Sequence, residues 1–354
     1  MKNKDIKNIK DKNLLEKSNK PCILLSHGDG GFKTSQLINE IVSGYIKNDI
    51  LKKLEDSAVF NSITNKIAFT TDSFVIDPIF FPGGDIGKLS ICGTINDLVT
   101  SGCKPYALSL SLILEEGFLI EDFKKILKSI KETISEINDV NIVTGDTKVV
   151  GKGFADKIYI NTAGIGFIDK EIEISPKRIK PGDAVLINGT IAEHGIVILS
   201  QRKEFNFKTN LKSDCAPLNS LIKDMLSVSN EIHAIRDATR GGIARILIEL
   251  AASSNTDIEI SEKQIPIKKE TYGICQFLGM DPLYIANEGK IIAFVAENEA
   301  EKVLDVMRKN KYGKDSQIIG KVIKKGSGSV TLKTILGTRR IIDIHYSEQL
   351  PRIC

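Results

Sequence analysis

Carboxylates and glycines bound the chemistry this sequence can perform. Asp72 in AFTTDSFVI, Asp97 in GTINDLV and Asp146 in NIVTGDTKVV each follow a run of apolar, β-prone residues. Carboxylates at strand ends are a way to hold Mg2+ on a nucleotide phosphate, because that ion takes hard oxygen ligands. Turn and cap chemistry accounts for isolated aspartates as well, but three in similar settings within one half of the chain favour a metal site. The stretch SHGDGGFKTSQLI (26 to 38) sets three glycines before a helical pattern, where backbone N–H groups can approach an anion closely. It is not the dinucleotide fingerprint, because Lys33 stands where a third spaced glycine belongs. Nor is GGDIGKLS a P-loop: the gap from Gly83 to Gly87 is one residue short, and Leu89 replaces the Ser or Thr. A plain glycine turn accounts for either stretch as well as a phosphate cradle does.

Two further motifs carry polar groups. IRDATRGGIARIL leads glycines into a helix and adds Arg236, Asp237, Thr239 and Arg240, readable as an N-cap or as a site. DPLYIANEGKII places Asn287 and Glu288 in a turn before a strand. His27, His194, His233 and His345 are scattered and pair with no nucleophile, which points to structural roles for most of them. The six cysteines form no C-x-x-C and none has a histidine at zinc-ligand spacing.

Cys354, the last residue, follows Pro351 and Arg352 in PRIC. An exposed thiol is open to oxidation, so one kept here is a thiol in use. The neighbouring α-carboxylate disfavours the thiolate and Arg352 favours it. About ten residues follow Ile344, with an extended reach of roughly 33 to 36 Å, enough to carry the sulfur well away from the domain surface. A sulfur on such an arm beside an ATP/Mg2+ site reads as a substrate carrier.

The elements that must position these groups alternate. KIAFTTDSFVI (66 to 76), ALSLSLIL (107 to 114), VNIVTGD (140 to 146) and KIYINTAGIGFI (157 to 168) read as strands. IEDFKKILKSIKETISEI repeats apolar residues at three and four, from Ile120 through Ile126 and Ile130 to Ile137, with Glu121 and Asp122 at its start, and predicts a helix. KEIEISPKRIKPGD (170 to 183) breaks the pattern and predicts a domain boundary. Beyond it come strand AVLINGT, helices in EHGIVILSQRK and IARILIELAASS, strand KIIAFVAEN, helix EAEKVLDVMRKN and a β-rich end. The sum is an α+β protein of two domains.

At 354 residues, 42% hydrophobic and 27% charged, the composition is that of a globular protein. No apolar run approaches the roughly 18 residues of a membrane span, and the basic N-terminal stretch lacks an apolar signal core. A cytoplasmic protein is expected. A net charge of +4 from 49 basic and 45 acidic residues, spread along the chain, argues against nucleic acid as partner.

SHGDGG, FTTDSFVI, FFPGGDIGKLSICGTINDL, IVTGDTKVV, RDATRGGIA, LGMDPLYIANEGK and PRIC together resemble the HypE family of hydrogenase maturation proteins, from about Pro21 to Cys354. These carbamoyl dehydratases belong with aminoimidazole ribonucleotide synthetase. The resemblance implies a two-domain aminoimidazole ribonucleotide synthetase-like fold: a polar extension (1 to 20), an ATP-binding domain (21 to 169) that pairs across a homodimer into a β-barrel, a C-terminal α/β domain (170 to 344) and a mobile tail (345 to 354). It implies that Cys354 receives a carbamoyl group from the carbamoyltransferase HypF. The thiocarboxamide is dehydrated with ATP and Mg2+ to a thiocyanate, and cyanide passes to iron on the HypC–HypD complex. By the same resemblance, Glu288 and Lys148 serve proton transfer. Asp56, Asp72, Asp97 and Asp146 bind metal, the last three together with nucleotide, and Gly30, Gly31 and Thr71 lie near phosphate. Ala238, Ala192 and Glu193 depart from the family's common residues, which puts local turn geometry in question. The competing readings are a superfamily enzyme acting on a free small molecule, such as a selenophosphate synthetase or a thiamine-phosphate kinase, and a non-catalytic scaffold.

Overall fold

The computed structural model describes residues 31–32, 35, 58–61, 66–202, 209–344 and 352–354. The chain builds two sheets. The first uses β1 (Ala58–Asn61), β2 (Lys66–Phe74), β5 (Lys104–Glu115), β6 (Asn141–Val150) and β7 (Ile158–Ile168), in the order β1-β2-β7-β5-β6. All neighbours are antiparallel except β5 and β6, which run parallel through helix α2 (Ile120–Ile137). A small ribbon of β3 (Phe80–Phe81) and β4 (Gly84–Asp85) leads into helix α1 (Ile86–Thr100).

The second sheet has the order β14-β13-β10-β12-β8-β11-β9, from β8 (Ala184–Ile187), β9 (Ile232–Asp237), β10 (Thr256–Ser261), β11 (Ile291–Val295), β12 (Gln317–Lys325), β13 (Val330–Lys333) and β14 (Arg339–Ile342). Helices α3 (Glu193–Ser200), α4 (Asn219–Val228), α5 (Gly242–Ser254), α6 (Lys269–Leu278) and α7 (Glu297–Lys309) accompany it. β8, β9 and β11 are buried on both faces, which explains the uninterrupted apolar runs of β8 and β11; β9 buries His233, Arg236 and Asp237 among its apolar residues.

Helix α1 joins the two halves. Asp85 caps it by accepting from Gly87 N (2.7 Å) and Lys88 N (3.0 Å), so GGDIGKLS is a helix cap and not a phosphate loop. Thirteen of its fifteen residues are buried, because it lies between the first sheet and the second domain. This corrects the reading of Asp97 as a strand-end carboxylate: a helix buried all round shows no amphipathic period and mimics an apolar strand. Asp72 and Asp146 lie within strands and not at their ends. Asn96 bolts α1 to the segment before α4, donating to Ala216 O (3.0 Å) and accepting from Leu218 N (2.8 Å). Helix α2 forms where its periodicity predicts. It buries Ile126, Ile130, Thr133 and Ile137, while Ile120 is exposed at its first turn.

One face of the first sheet carries α1. On the other face no described helix packs, and Phe69, Tyr106, Ile113 and Phe167 are all more than a third exposed there. Tyr106 and Phe167 stack edge to face at 5.2 Å.

Candidate active site

The last three residues do not project from the surface. Beyond β2 the chain continues extended, and they pair with it antiparallel: Val75 N donates to Cys354 O (3.1 Å) and Asp77 N to Arg352 O (3.3 Å). Arg202 donates to the carbonyls of Arg352 (3.0 Å) and Asp77 (3.2 Å). Arg352 turns away from the sulfur, binding Val75 O (2.9 Å) and the Asp156 carboxylate (2.5 Å). Ile353 and Cys354 are buried. The sulfur is thus not carried away from the surface, as the length of the arm allows, but lies buried alongside the extended chain beyond β2.

Four ionisable side chains lie near enough to act on the sulfur. Burial pushes the Cys354 thiol up to about 12; Arg240 works against this, and the carboxylates of Glu288, Asp72 and Asp237 add to it. The cation near the thiol is therefore Arg240 and not the sequence neighbour Arg352.

Glu288 is the group on which the site turns. It is 3% exposed, and its Oε1 has no hydrogen-bond partner. Burial first, then the neighbouring Cys215 thiol and the carboxyls of Asp214, Asp72 and Asp237, hold its carboxyl well above the usual range. A buried carboxyl oxygen without a partner is costly and rarely kept without a use.

The turn that presents it is fixed from behind. Asp214 accepts from Glu288 N (3.2 Å) and Gly289 N (3.1 Å). Gly289 permits this approach, since a Cβ there would fall 2.0 Å from Asp214 O. Asn287 donates to Ala238 O (2.9 Å) and accepts from Ala192 N (2.8 Å). Lys290 pairs with Asp214 at 3.0 Å, both side chains being nearly buried. Although burial works to raise it, Lys290 holds the Asp214 carboxyl below its ordinary value. Lys290→Met leaves a buried carboxylate unpaired, and a urea titration should register a loss of about 3–5 kcal/mol.

The remaining acidic groups come from three elements. Asp237 ends β9; burial, opposed by Arg236 and assisted by Asp72, raises its carboxyl to about 6. Asp72 on β2 is raised too, by burial, with Arg240 opposing. Its Oδ2 would lie 3.6 Å from a Cβ at Gly93, so it sits directly over α1. Asp97, one helical turn further along α1, accepts from Thr70 Oγ1 (3.0 Å), two residues before Asp72 on β2. Among the described residues no group of three His, Cys, Asp or Glu side chains is arranged to hold a metal ion. Asp72 and Asp97 are hard oxygen donors of the kind Mg2+ takes when it keeps waters and shares itself with substrate phosphates.

Other residues singled out in the sequence lie elsewhere. Asp146 and Lys148 are exposed on β6 and bound to each other at 2.6 Å. Strand alternation puts them on the open face of the first sheet, in cross-strand rows with Ser111 and Ile113. Thr71 belongs to that face as well, accepting from Asn161, which also donates to Ser73 Oγ. Gly31 accepts from Ser35 N (3.1 Å), whereas Gly30 and Asp56 lie outside the described residues. Within one chain the Glu288 cluster and the Lys148 pair therefore occupy opposite faces of the sheet. Asp214, Lys290 and Arg202 had no sequence signal, since each acts on main-chain atoms or inside an ion pair. The motif RDATRGG gave Asp237 and Arg240 without deciding between cap and site. In the structure Gly241 is the N-cap and no side chain caps α5.

Comparisons with known proteins agree with this architecture. The AIR synthase related protein N-terminal domain matches residues 54–168, and the corresponding C-terminal domain matches 180–333. Carbamoyl dehydratase HypE of Escherichia coli is 42% identical over 337 residues, covering 94% of this chain and 99% of that protein. A crystal structure of a HypE–HypF complex superposes with a TM-score of 0.83 at 47% identity, covering 87% of this chain and 99% of that one. HypE in complex with ATP superposes with a TM-score of 0.78 at 42% identity, covering 94% and 100%. With both domains matched and relatives of this identity aligned along almost their full length, the chain belongs to the HypE family of carbamoyl dehydratases.

Proposed function

We propose that the docked tail is the substrate arm of the family's ATP-dependent dehydration. Cys354 carries a thiocarboxamide, and the pocket converts R–S–C(O)NH2 and ATP into R–S–C≡N, ADP and phosphate. The thiocyanate supplies the cyanide ligand of the [NiFe]-hydrogenase iron. The single observation carrying this reading is a buried terminal thiol lying near enough to Glu288 for that carboxylate's charge to act on it, with Glu288 Oε1 itself buried and without a partner.

ATP, when bound, takes the thiocarboxamide oxygen on its γ-phosphorus and turns it into a leaving group. Both nitrogen protons must leave, one as the oxygen is phosphorylated and one as phosphate departs, and Glu288, once ionised, accepts the second. Its raised pKa makes it a stronger base than an ordinary carboxylate, and Arg240 supplies positive charge beside the sulfur. Asp72 and Asp97 would hold Mg2+, with Asp56 assigned to the same set and Asp146, on the opposite face of its own sheet, joining it from the second copy; the ion would offset phosphate charge. Gly30, Gly31 and Thr71 are assigned to phosphate.

The docked thiol, at about 12, supplies almost no thiolate at neutral pH, and the thiolate is the nucleophile that loading requires. Carbamoyl transfer therefore takes place with the tail withdrawn from this pocket, on HypF, and the cyano group leaves by the same route to HypC–HypD. With HypF and an isotopically labelled carbamoyl donor, label should appear in the Cys354 peptide alone. Stable label on another cysteine would sink the carrier assignment.

The open apolar face of the first sheet is where a second copy packs, sheet against sheet, into a shared barrel. Lys148 enters the reaction through that dimer. Tyr106→Glu puts a charge into the apolar pair it forms with Phe167 at one end of this face, and sedimentation velocity should then find monomer; an unchanged dimer would place the interface elsewhere.

A further inference from the structure

Besides the Arg352 side chain, the tail is held through its main chain, and one of those contacts comes from a buried histidine. His194, the second residue of α3, is fully buried. Its Nε2 lies 2.8 Å from Ile353 O, and its Nδ1 lies 2.7 Å from Ser213 Oγ. A carbonyl can only accept, so Nε2 carries the hydrogen. In the neutral ring Nδ1 then accepts from the Ser213 hydroxyl, whose oxygen also accepts from Cys215 N (3.1 Å).

We propose that His194 is a positioning residue for the dehydration, the latch that fixes the tail so that Cys354 is presented to Glu288. The ring has little freedom. Phe81 packs edge-on against it at 5.4 Å, and Ser213 N is tied to Pro82 O (2.8 Å). The start of α3 is tied to the base: Gly195 N donates to Ala286 O (3.1 Å), and Ala192 N to the Asn287 side chain. One rigid unit therefore carries both the donor that holds the residue before the sulfur and the turn that presents Glu288. Burial lowers the His194 pKa, in keeping with a neutral ring. Because the latch grips a backbone carbonyl, it holds free, carbamoylated and cyanylated tails by the same contact. The sulfur can change its cargo without losing its place.

This inference rests on the carrier reading above, but its test needs no turnover, so the two can fail separately. Full-length protein with a free tail is treated with iodoacetamide, and alkylation of the Cys354 peptide is followed by mass spectrometry. His194→Asn keeps a polar atom near Nδ1 but has no donor at the Nε2 position; His194→Gln restores that donor. Loss of a buried hydrogen bond should speed Cys354 alkylation roughly tenfold in the Asn variant. The Gln variant should react nearly as slowly as the parent. In turnover, the Asn variant should lose kcat with an unchanged KM for ATP. Equal alkylation rates in Asn and Gln, or an Asn variant as slow as the parent, overturn the proposal. A reading that needs no variant at His194 is the histidine 15N spectrum: deletion of Ile353 and Cys354 should shift the buried Nε2 resonance, and an unmoved resonance also overturns it.

Discussion

Cys354→Ala abolishes dehydration entirely while leaving ATP binding intact. The sulfur is the atom that bears the substrate, so no rearrangement of the pocket can compensate for its loss. The main-chain contacts of the tail, Val75 N to residue 354, His194 to Ile353 O and Arg202 to Arg352 O, do not involve the sulfur and should survive. The variant tail therefore still docks, but it accepts no carbamoyl group and releases no phosphate in response to one. Carbamoyl-dependent phosphate release and isothermal titration with ATP check the two halves of this statement. Phosphate release at the parent rate would mean that a free small molecule is the substrate, as in the kinase branch of the fold.

Glu288→Gln should lower the dehydration rate by about two to four orders of magnitude, the contribution of a positioned base. Carbamoyl loading of Cys354 should be unaffected, since it takes place outside the pocket. The parent's rate should rise with pH as Glu288 ionises, through a value well above the ordinary carboxylate range, because burial and the surrounding negative groups favour the neutral form.

Stability should change in the opposite direction. Between the unfolded and folded pKa values of Glu288 the native state holds one proton more than the unfolded chain. Glu288 therefore makes stability fall as pH rises through that window. Gln removes this slope, so the variant should melt higher than the parent at neutral pH, by roughly 2–4 °C for each kcal/mol recovered. Stability given up for function is expected at a site of this kind. A Gln variant that dehydrates at the parent rate would assign the base elsewhere.

How legible all this was in the sequence depends on which atoms do the work. Short β-branched runs and the three-four period of α2 announced the first sheet and its crossover, because a half-buried surface imposes a period on side chains. Helix α1 was opaque for the opposite reason: covered on every side, its sequence runs apolar without a period and disguised Asp97 as a strand-end residue. The acidic site was half visible. Asp72 and Asp97 stood out, whereas Glu288, alone in a turn, read as a solvated residue until the family resemblance singled it out; and alternation along β2 and β6 decides that Asp72 faces α1 while Asp146 and Lys148 face away, register being fixed by pairing at long range.

The docking of the tail left no signature, since backbone hydrogen bonds carry none. Length set how far the sulfur could travel, and only the folded groove, with Arg202 and His194 as donors, shows where it rests. Asp214 and Lys290 were silent in the same way: a buried ion pair behind a turn has no spacing rule to reveal it.

Intact-mass spectrometry of the carbamoyl-loaded chain tests the central claim most directly. Addition of ATP with Mg2+ should remove the mass of one water from the protein, confined to the Cys354 peptide, and a non-hydrolysable ATP analogue should leave the carbamoyl mass in place. A loaded chain that keeps its full carbamoyl mass through many minutes of ATP hydrolysis would contradict the account.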